Sequence, residues 1–142
     1  LGSVRRVEQV QQSHQMGAQF VVSPITDDQV IEACHQAALP TMPGALTPTE
    51  ISRAWDLGAA AVKVFPVRSF GAKYISEVLA PMPDVRLMPT GGIETTSIRE
   101  YLEAGAMAVG IGGRLVDKSL LAAGDWNAIT EAAAEISAAA RG

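Results

Sequence analysis

The chain has 142 residues, 48% of them hydrophobic, enough for one compact soluble domain with its own core. A formal net charge of -4 argues against a nucleic-acid backbone as partner, which calls for a basic face, yet leaves room for a local small-anion site. Cys34 is the sole cysteine, which excludes an internal disulfide and favours a reducing cytoplasm, and no apolar run of about 18 residues is present to span a bilayer.

The predicted elements begin with a short strand stub at residues 2–4 and a helix over residues 4–16. Residues 16–24 then show a helix-ending glycine, Gly17, followed by a β-rich apolar run that stops at Pro24. Thr26-Asp27-Asp28-Gln29 reads as a helix start with the cap at the threonine, ahead of Val30, Ile31, Cys34 and Ala38 on one apolar face. A strand is expected at residues 41–43. Thr47-Pro48-Thr49-Glu50 supplies a cap hydroxyl, a proline at the first helical position and a glutamate that reaches back, so a helix follows to residue 57.

Residues 57–66 repeat the glycine-then-apolar pattern and stop at Pro66. A helix over residues 71–79, a strand at 85–88 ending at Pro89 and a helix at 96–103 come next. Residues 104–112 give the third copy of the pattern, and an alanine-rich helix covers residues 126–140. Strands alternating with helices imply a parallel sheet with helices outside. An open doubly wound sheet and a closed barrel both fit, and the glycine-rich ends at residues 89–92 and 110–113 favour the barrel, whose last loops often hold phosphate. The fold class is therefore α/β, a (β/α)8 barrel. Five strands and a stub are too few for it, and the sequence does not begin with Met, so roughly the first two βα units are expected to lie outside it.

Alternation within residues 61–65 places Ala61, Lys63 and Phe65 on one face and the two valines on the other. A lysine that faces a partly dry barrel interior has its pKa lowered by desolvation, which supplies the free amine that imine chemistry requires. An edge-strand lysine that discourages pairing is the plainer alternative. Thr90-Gly91-Gly92 and Gly112-Gly113-Arg114 stand where loops leave the last two strands; glycines admit an anion to the backbone N–H groups, and Arg114 could add a charged fork. His14, His35 and Lys73 read as surface or packing residues, Trp55 and Trp126 as covers of helix–sheet contacts. No carboxylate–histidine cluster has metal spacing.

Four runs, Gly-Ala-Gln-Phe-Val-Val-Ser-Pro (17–24), Pro-Gly-Ala-Leu-Thr-Pro-Thr-Glu (43–50), Val-Lys-Val-Phe-Pro (62–66) and Pro-Thr-Gly-Gly-Ile (89–93), resemble the signature runs of the 2-keto-3-deoxy-6-phosphogluconate and 4-hydroxy-2-oxoglutarate aldolases. The resemblance covers nearly the whole chain, in order. It implies that residues 1–142 form the C-terminal three-quarters of an aldolase barrel: a class I lyase, trimeric, cytoplasmic, with no metal or organic cofactor. It further implies that Lys63 forms an imine with a keto-acid substrate, that Phe65 packs beside it, and that Thr90, Pro24 and Ser3 line the substrate pocket. Gly91, Gly92 and Gly113 fall on the phosphate loops.

Departures accompany the match. Ser3 stands where the family usually has threonine, and Arg114 where serine is common. The glutamate that shuttles protons and an arginine that binds carboxylate have no counterpart in these residues, and losing a proton shuttle lowers turnover by about 10²–10⁴-fold. Two other functions compete: a phosphate-gripping barrel isomerase or synthase, and a non-catalytic binding remnant.

Overall fold

The computed structural model describes residues 1–141. Helix α1 (Val7–Gln15) precedes β1 (Val21–Val22), and α2 (Asp28–Gln36) precedes β2 (Thr41–Met42) and β3 (Gly44–Ala45). Then come α3 (Pro48–Asp56), β4 (Val62–Val64), α4 (Gly71–Leu79), β5 (Leu87–Pro89), a 3-10 turn (Thr95–Ser97) that runs into α5 (Ile98–Glu103), α6 (Lys118–Ala123) and α7 (Trp126–Arg141). The class is α/β with parallel strands.

β1 pairs with β2, β3 with β4 and β4 with β5, all parallel. β2 and β3 are one extended run broken at Pro43, whose missing N–H removes a ladder donor. Ser23 N donates to Met42 O (3.1 Å) on one side of this run, and Lys63 N to Pro43 O (2.8 Å) on the other, so the array is continuous across it. The expected stub at residues 2–4 joins β1: Val22 N donates to Leu1 O and Val4 N to Val22 O. The helix expected from residue 4 starts only at Val7, because this pairing keeps the chain extended to Val4.

At the far side, the strand expected in residues 104–112 is reduced to a single bridge between Thr90 and Gly110, supported by Met107 N donating to Leu87 O. The two ends of the array are not joined by hydrogen bonds among the described residues. Gly2 and Ser3 at one end nevertheless line the same cavity as Gly110, Ile111 and Gly112 at the other. The sheet is therefore curved.

β1, β2, β4 and β5 each bury one face under the helices and leave the other half-buried, whereas both residues of β3 are buried. Val21, Thr41, Val62, Val64, Leu87 and Pro89 are buried; Val22, Met42, Lys63 and Met88 are not. The buried face divides into two clusters, one built on Val4, Val10, Val21, Val30, Cys34 and Leu39, the larger centred on Ile51, Val62, Val64, Ile75, Leu87 and Ile98.

Cap chemistry agrees with the sequence except in detail. The capping box at Thr47 and Glu50 forms as expected. At α2 the cap is Asp27, not Thr26: the Asp27 carboxylate accepts from Val30 N, while Thr26 donates to Gly44 O. Gly17, Gly58 and Gly105 end their helices with positive φ. Ala38 does the same job with φ 53, an unusual conformation for a residue with a Cβ. Trp126 is 64% exposed, which corrects its expected place at a helix–sheet contact; Trp55 does pack on the larger cluster and donates to Asp84. No helix among the described residues is long and apolar enough to cross a membrane.

Candidate active site

Lys63 is the middle residue of β4, flanked by Val62 and Val64, both with no solvent exposure. Pleating turns its side chain to the opposite face, into a cavity of about 510 Å³. Phe20, Val22, Met42, Met88, Val109 and Ile111 form the apolar part of that wall; Ser3 and Thr90 bring the hydroxyls. Desolvation by this setting pushes the Lys63 pKa below its ordinary value, which raises the share of free amine at neutral pH.

Phe65 is two positions further along the strand direction, and the Lys63 Nζ lies 4.5 Å from its ring centre. A cation over a ring face is attracted by the ring quadrupole, so this contact favours the ammonium and opposes the desolvation. The ring in turn passes under Gly91, where a Cβ would come within 3.1 Å of it. Gly91 has φ +99, a backbone that only glycine adopts freely. The tight strand-to-loop turn and the seat of Phe65 thus depend on the same missing side chain.

Thr90 is held at three points. Its N–H donates to Val64 O (2.9 Å), its carbonyl accepts from Val67 N (3.0 Å), and its hydroxyl donates to Met88 O (3.1 Å), while the residue lines the cavity. Gly110 makes room for it: a Cβ there would stand 2.3 Å from Thr90 Oγ1. Ser3 adopts φ 63, a strained conformation outside glycine, and lies at the cavity edge.

Pro24 and Phe65 line a neighbouring cavity of about 420 Å³ with Thr26, Gly44 and Glu50, so the expected pocket residues divide between two spaces separated by the Phe65 ring. Glu50 is committed to capping α3: its Oε2 accepts from Leu46 N (2.9 Å) and Thr47 N (2.8 Å). Those hydrogen bonds hold its carboxyl below the usual carboxylate range, the wrong direction for a proton donor at neutral pH. The Lys63 cavity itself is lined by no carboxylate or imidazole among the described residues.

The two glycine loops lie next to one another beyond the strand ends; Thr90 and Gly112 line the Lys63 cavity, while Gly91, Gly92, Gly113 and Arg114 lie outside the lining of both cavities. The amides of Gly91, Gly92 and Gly113 donate to no acceptor among the described residues. Arg114 does not point a free fork at these amides: its guanidinium pairs with Glu94, which clasps one glycine loop to the other. Sequence reasoning overlooked Arg68, whose Nε stands 2.1 Å from where a Gly92 Cβ would be. Its only signal was its place two residues past Pro66, at the end of a strand.

The family model of KDPG and KHG aldolase matches residues 1–132. The chain belongs to that family. Among KDPG and KHG aldolases, the 2-dehydro-3-deoxy-phosphogluconate aldolase of Treponema pallidum is 38% identical over 91% of this chain and 62% of its own length. The KHG/KDPG aldolase of Escherichia coli K12 is 33% identical over 94% of this chain and 63% of its own. The crystal structure of KDPG aldolase from Legionella pneumophila, with pyruvate captured as a covalent carbinolamine, superposes with a TM-score of 0.84 and 27% identity, covering 92% of this chain and 64% of that one. The chain thus spans slightly less than two thirds of the length of these family members, and the shared fold is that of the KDPG aldolase barrels.

Proposed function

We propose that this chain is the catalytic-lysine portion of a class I aldolase that cleaves 2-keto-3-deoxy-6-phosphogluconate to pyruvate and glyceraldehyde 3-phosphate, or 4-hydroxy-2-oxoglutarate to pyruvate and glyoxylate. The observation that carries this reading is the Lys63 amine: half-buried, with its pKa lowered, in a cavity beside the Thr90 and Ser3 hydroxyls. The covalent carbinolamine of the Legionella relative lends the mechanism support.

In this mechanism the neutral Lys63 amine attacks the C2 ketone, and the carbinolamine loses water to give a protonated imine. The O4 proton leaves to water, the C3–C4 bond breaks, and its electron pair moves into the iminium, forming the pyruvate enamine and freeing the aldehyde. Protonation at C3 and hydrolysis return pyruvate and the free amine. Ser3 donates to the pyruvyl carboxylate, and the Thr90 hydroxyl turns its one proton from Met88 O to do the same, with the Phe65 ring between this pocket and the next cavity, which Pro24 lines. Gly91, Gly92 and Gly113 take the phosphate through their unengaged amides. The strands act as the later part of a (β/α)8 barrel, and a cytoplasmic homotrimer is the assembly proposed from the resemblance.

Proton transfer is the weak step, since neither a carboxylate nor an imidazole faces the cavity among the described residues. Turnover by this chain alone is expected about 10²–10⁴-fold below that of an enzyme with a positioned base. That same lack favours a second reading, a binding remnant without catalysis. Incubation with pyruvate and borohydride separates them: a stable mass adduct, absent in Lys63→Ala, supports the aldolase, and an unmodified wild-type chain refutes it.

A further inference from the structure

The geometry points to Arg68, rather than Arg114, as the charged ligand for a phosphate monoester at the glycine loops. The inference rests on the aldolase reading for the identity of the physiological ligand and on the structure for the site.

Arg114 is spoken for. Its guanidinium is paired with the Glu94 carboxylate, a contact that ties residues 91–94 to residues 112–114 and leaves its charge neutralised. Arg68 is exposed and forms no ion pair among the described residues. Its guanidinium lies on the Cα of Gly92, with Nε, Cζ and Nη2 at 2.1, 2.9 and 3.0 Å from the position a Cβ would take. Gly92 has φ +73 and follows Gly91 at φ +99. The amides of both residues donate to no acceptor among the described residues and stay available to an anion.

The backbone that carries Arg68 is anchored to this loop. Val67, immediately before it, is fully buried and donates its N–H to Thr90 O (3.0 Å). A guanidinium so placed needs only side-chain rotation to present two N–H donors to a phosphate held by the Gly91, Gly92 and Gly113 amides. Arg68 belongs to the loop after β4, one residue beyond that buried anchor, so one strand and the loop that follows it carry the imine-forming amine and the phosphate cation. Their spacing along the chain then selects the length of substrate between ketone and phosphate.

The test is calorimetric titration of the full chain with glycerol 3-phosphate, using the parent, Arg68→Ala, Arg68→Lys and Arg114→Ala, with unfolding midpoints recorded for each. Arg68→Ala should weaken binding about 10- to 100-fold, the usual worth of charge-assisted hydrogen bonds. Arg68→Lys should recover part of the loss, since a lysine keeps the charge without the planar fork, and Arg114→Ala should lose less than Arg68→Ala. Binding in Arg68→Ala within twofold of the parent overturns the assignment, as does a parent that binds no glycerol 3-phosphate. Pyruvate and borohydride labelling of the parent is run in parallel. An Arg68-dependent phosphate site in a chain that gives no adduct leaves this inference standing and removes the aldolase; an adduct with Arg68-independent binding does the reverse.

Discussion

The amine of Lys63 and the ring of Phe65 face each other at 4.5 Å, two positions apart on one strand, so one side chain tunes the charge of the other. Burial favours the neutral amine and the ring favours the ammonium. Phe65→Leu keeps most of the bulk and removes about 0.5–1 kcal/mol of attraction for the cation. The acid limb of pyruvate–borohydride labelling should therefore move to lower pH in the variant; a limb that stays in place refutes the coupling.

Stability should carry the same signature. The Lys63 pKa is lowered in the folded chain from its ordinary value of 10.5. Below the folded value both states hold the proton, and folding bears the full cost of desolvating the ammonium. Between the two values only the unfolded chain is protonated, so stability rises with pH across that window. Lys63→Met should thus unfold at higher urea than the parent near pH 7, with the gap closing as pH approaches 10.5; parallel curves at all pH values would contradict this.

Gly44 and Gly92 should respond differently to alanine. A Cβ at Gly44 would lie 2.3 Å from the Pro24 carbonyl carbon and oxygen, main-chain atoms that cannot swing away. Gly44→Ala should cost roughly 3 kcal/mol or more. Gly92→Ala meets only the mobile end of Arg68, and its cost should be the left-handed backbone penalty of about 1 kcal/mol. Denaturant midpoints of the two variants check the order.

Gly110→Ala should be a functional lesion more than a structural one. The new methyl would displace the Thr90 hydroxyl, 2.3 Å away, and turn it from the cavity. Pyruvate labelling should slow about tenfold, the worth of a lost hydrogen bond to a charged carboxylate, while the unfolding midpoint changes little.

Ala38→Gly should stabilise the chain by about 0.5–1 kcal/mol, because the left-handed conformation at φ 53 strains alanine more than glycine's extra chain entropy costs. A lower midpoint in the variant would show that the strain is relieved some other way.

That residue also shows where the sequence was hard to read. Gly17, Gly58 and Gly105 announced three helix ends, and the fourth, at Ala38, carried no glycine to mark it. Helix α6 escaped notice although Asp117 caps it and Gly124 ends it with φ +66, because six residues are too few for a hydrophobic period to show. The alternation around Lys63 was legible, since two buried valines leave the residue between them one direction to point. The pairing of Arg114 with Glu94 and the seat of Arg68 on Gly92 were not, for both join loops that follow different strands, and contacts between loops leave no periodicity in the chain.

Pro43 sits at the seam between the two buried clusters, where one run of chain passes its hydrogen bonding from β1 to β4. Each half keeps its own apolar packing, so the two sides can loosen at separate free energies. Amide exchange should resolve them as distinct cooperative units, with Val21 and Val22 in the unit of smaller core trading deuterium ahead of Val62 and Leu87. The lysine's strand would then stay shut while the segment carrying Ser3 breathes, giving a small molecule a way in that leaves the reacting amine in place.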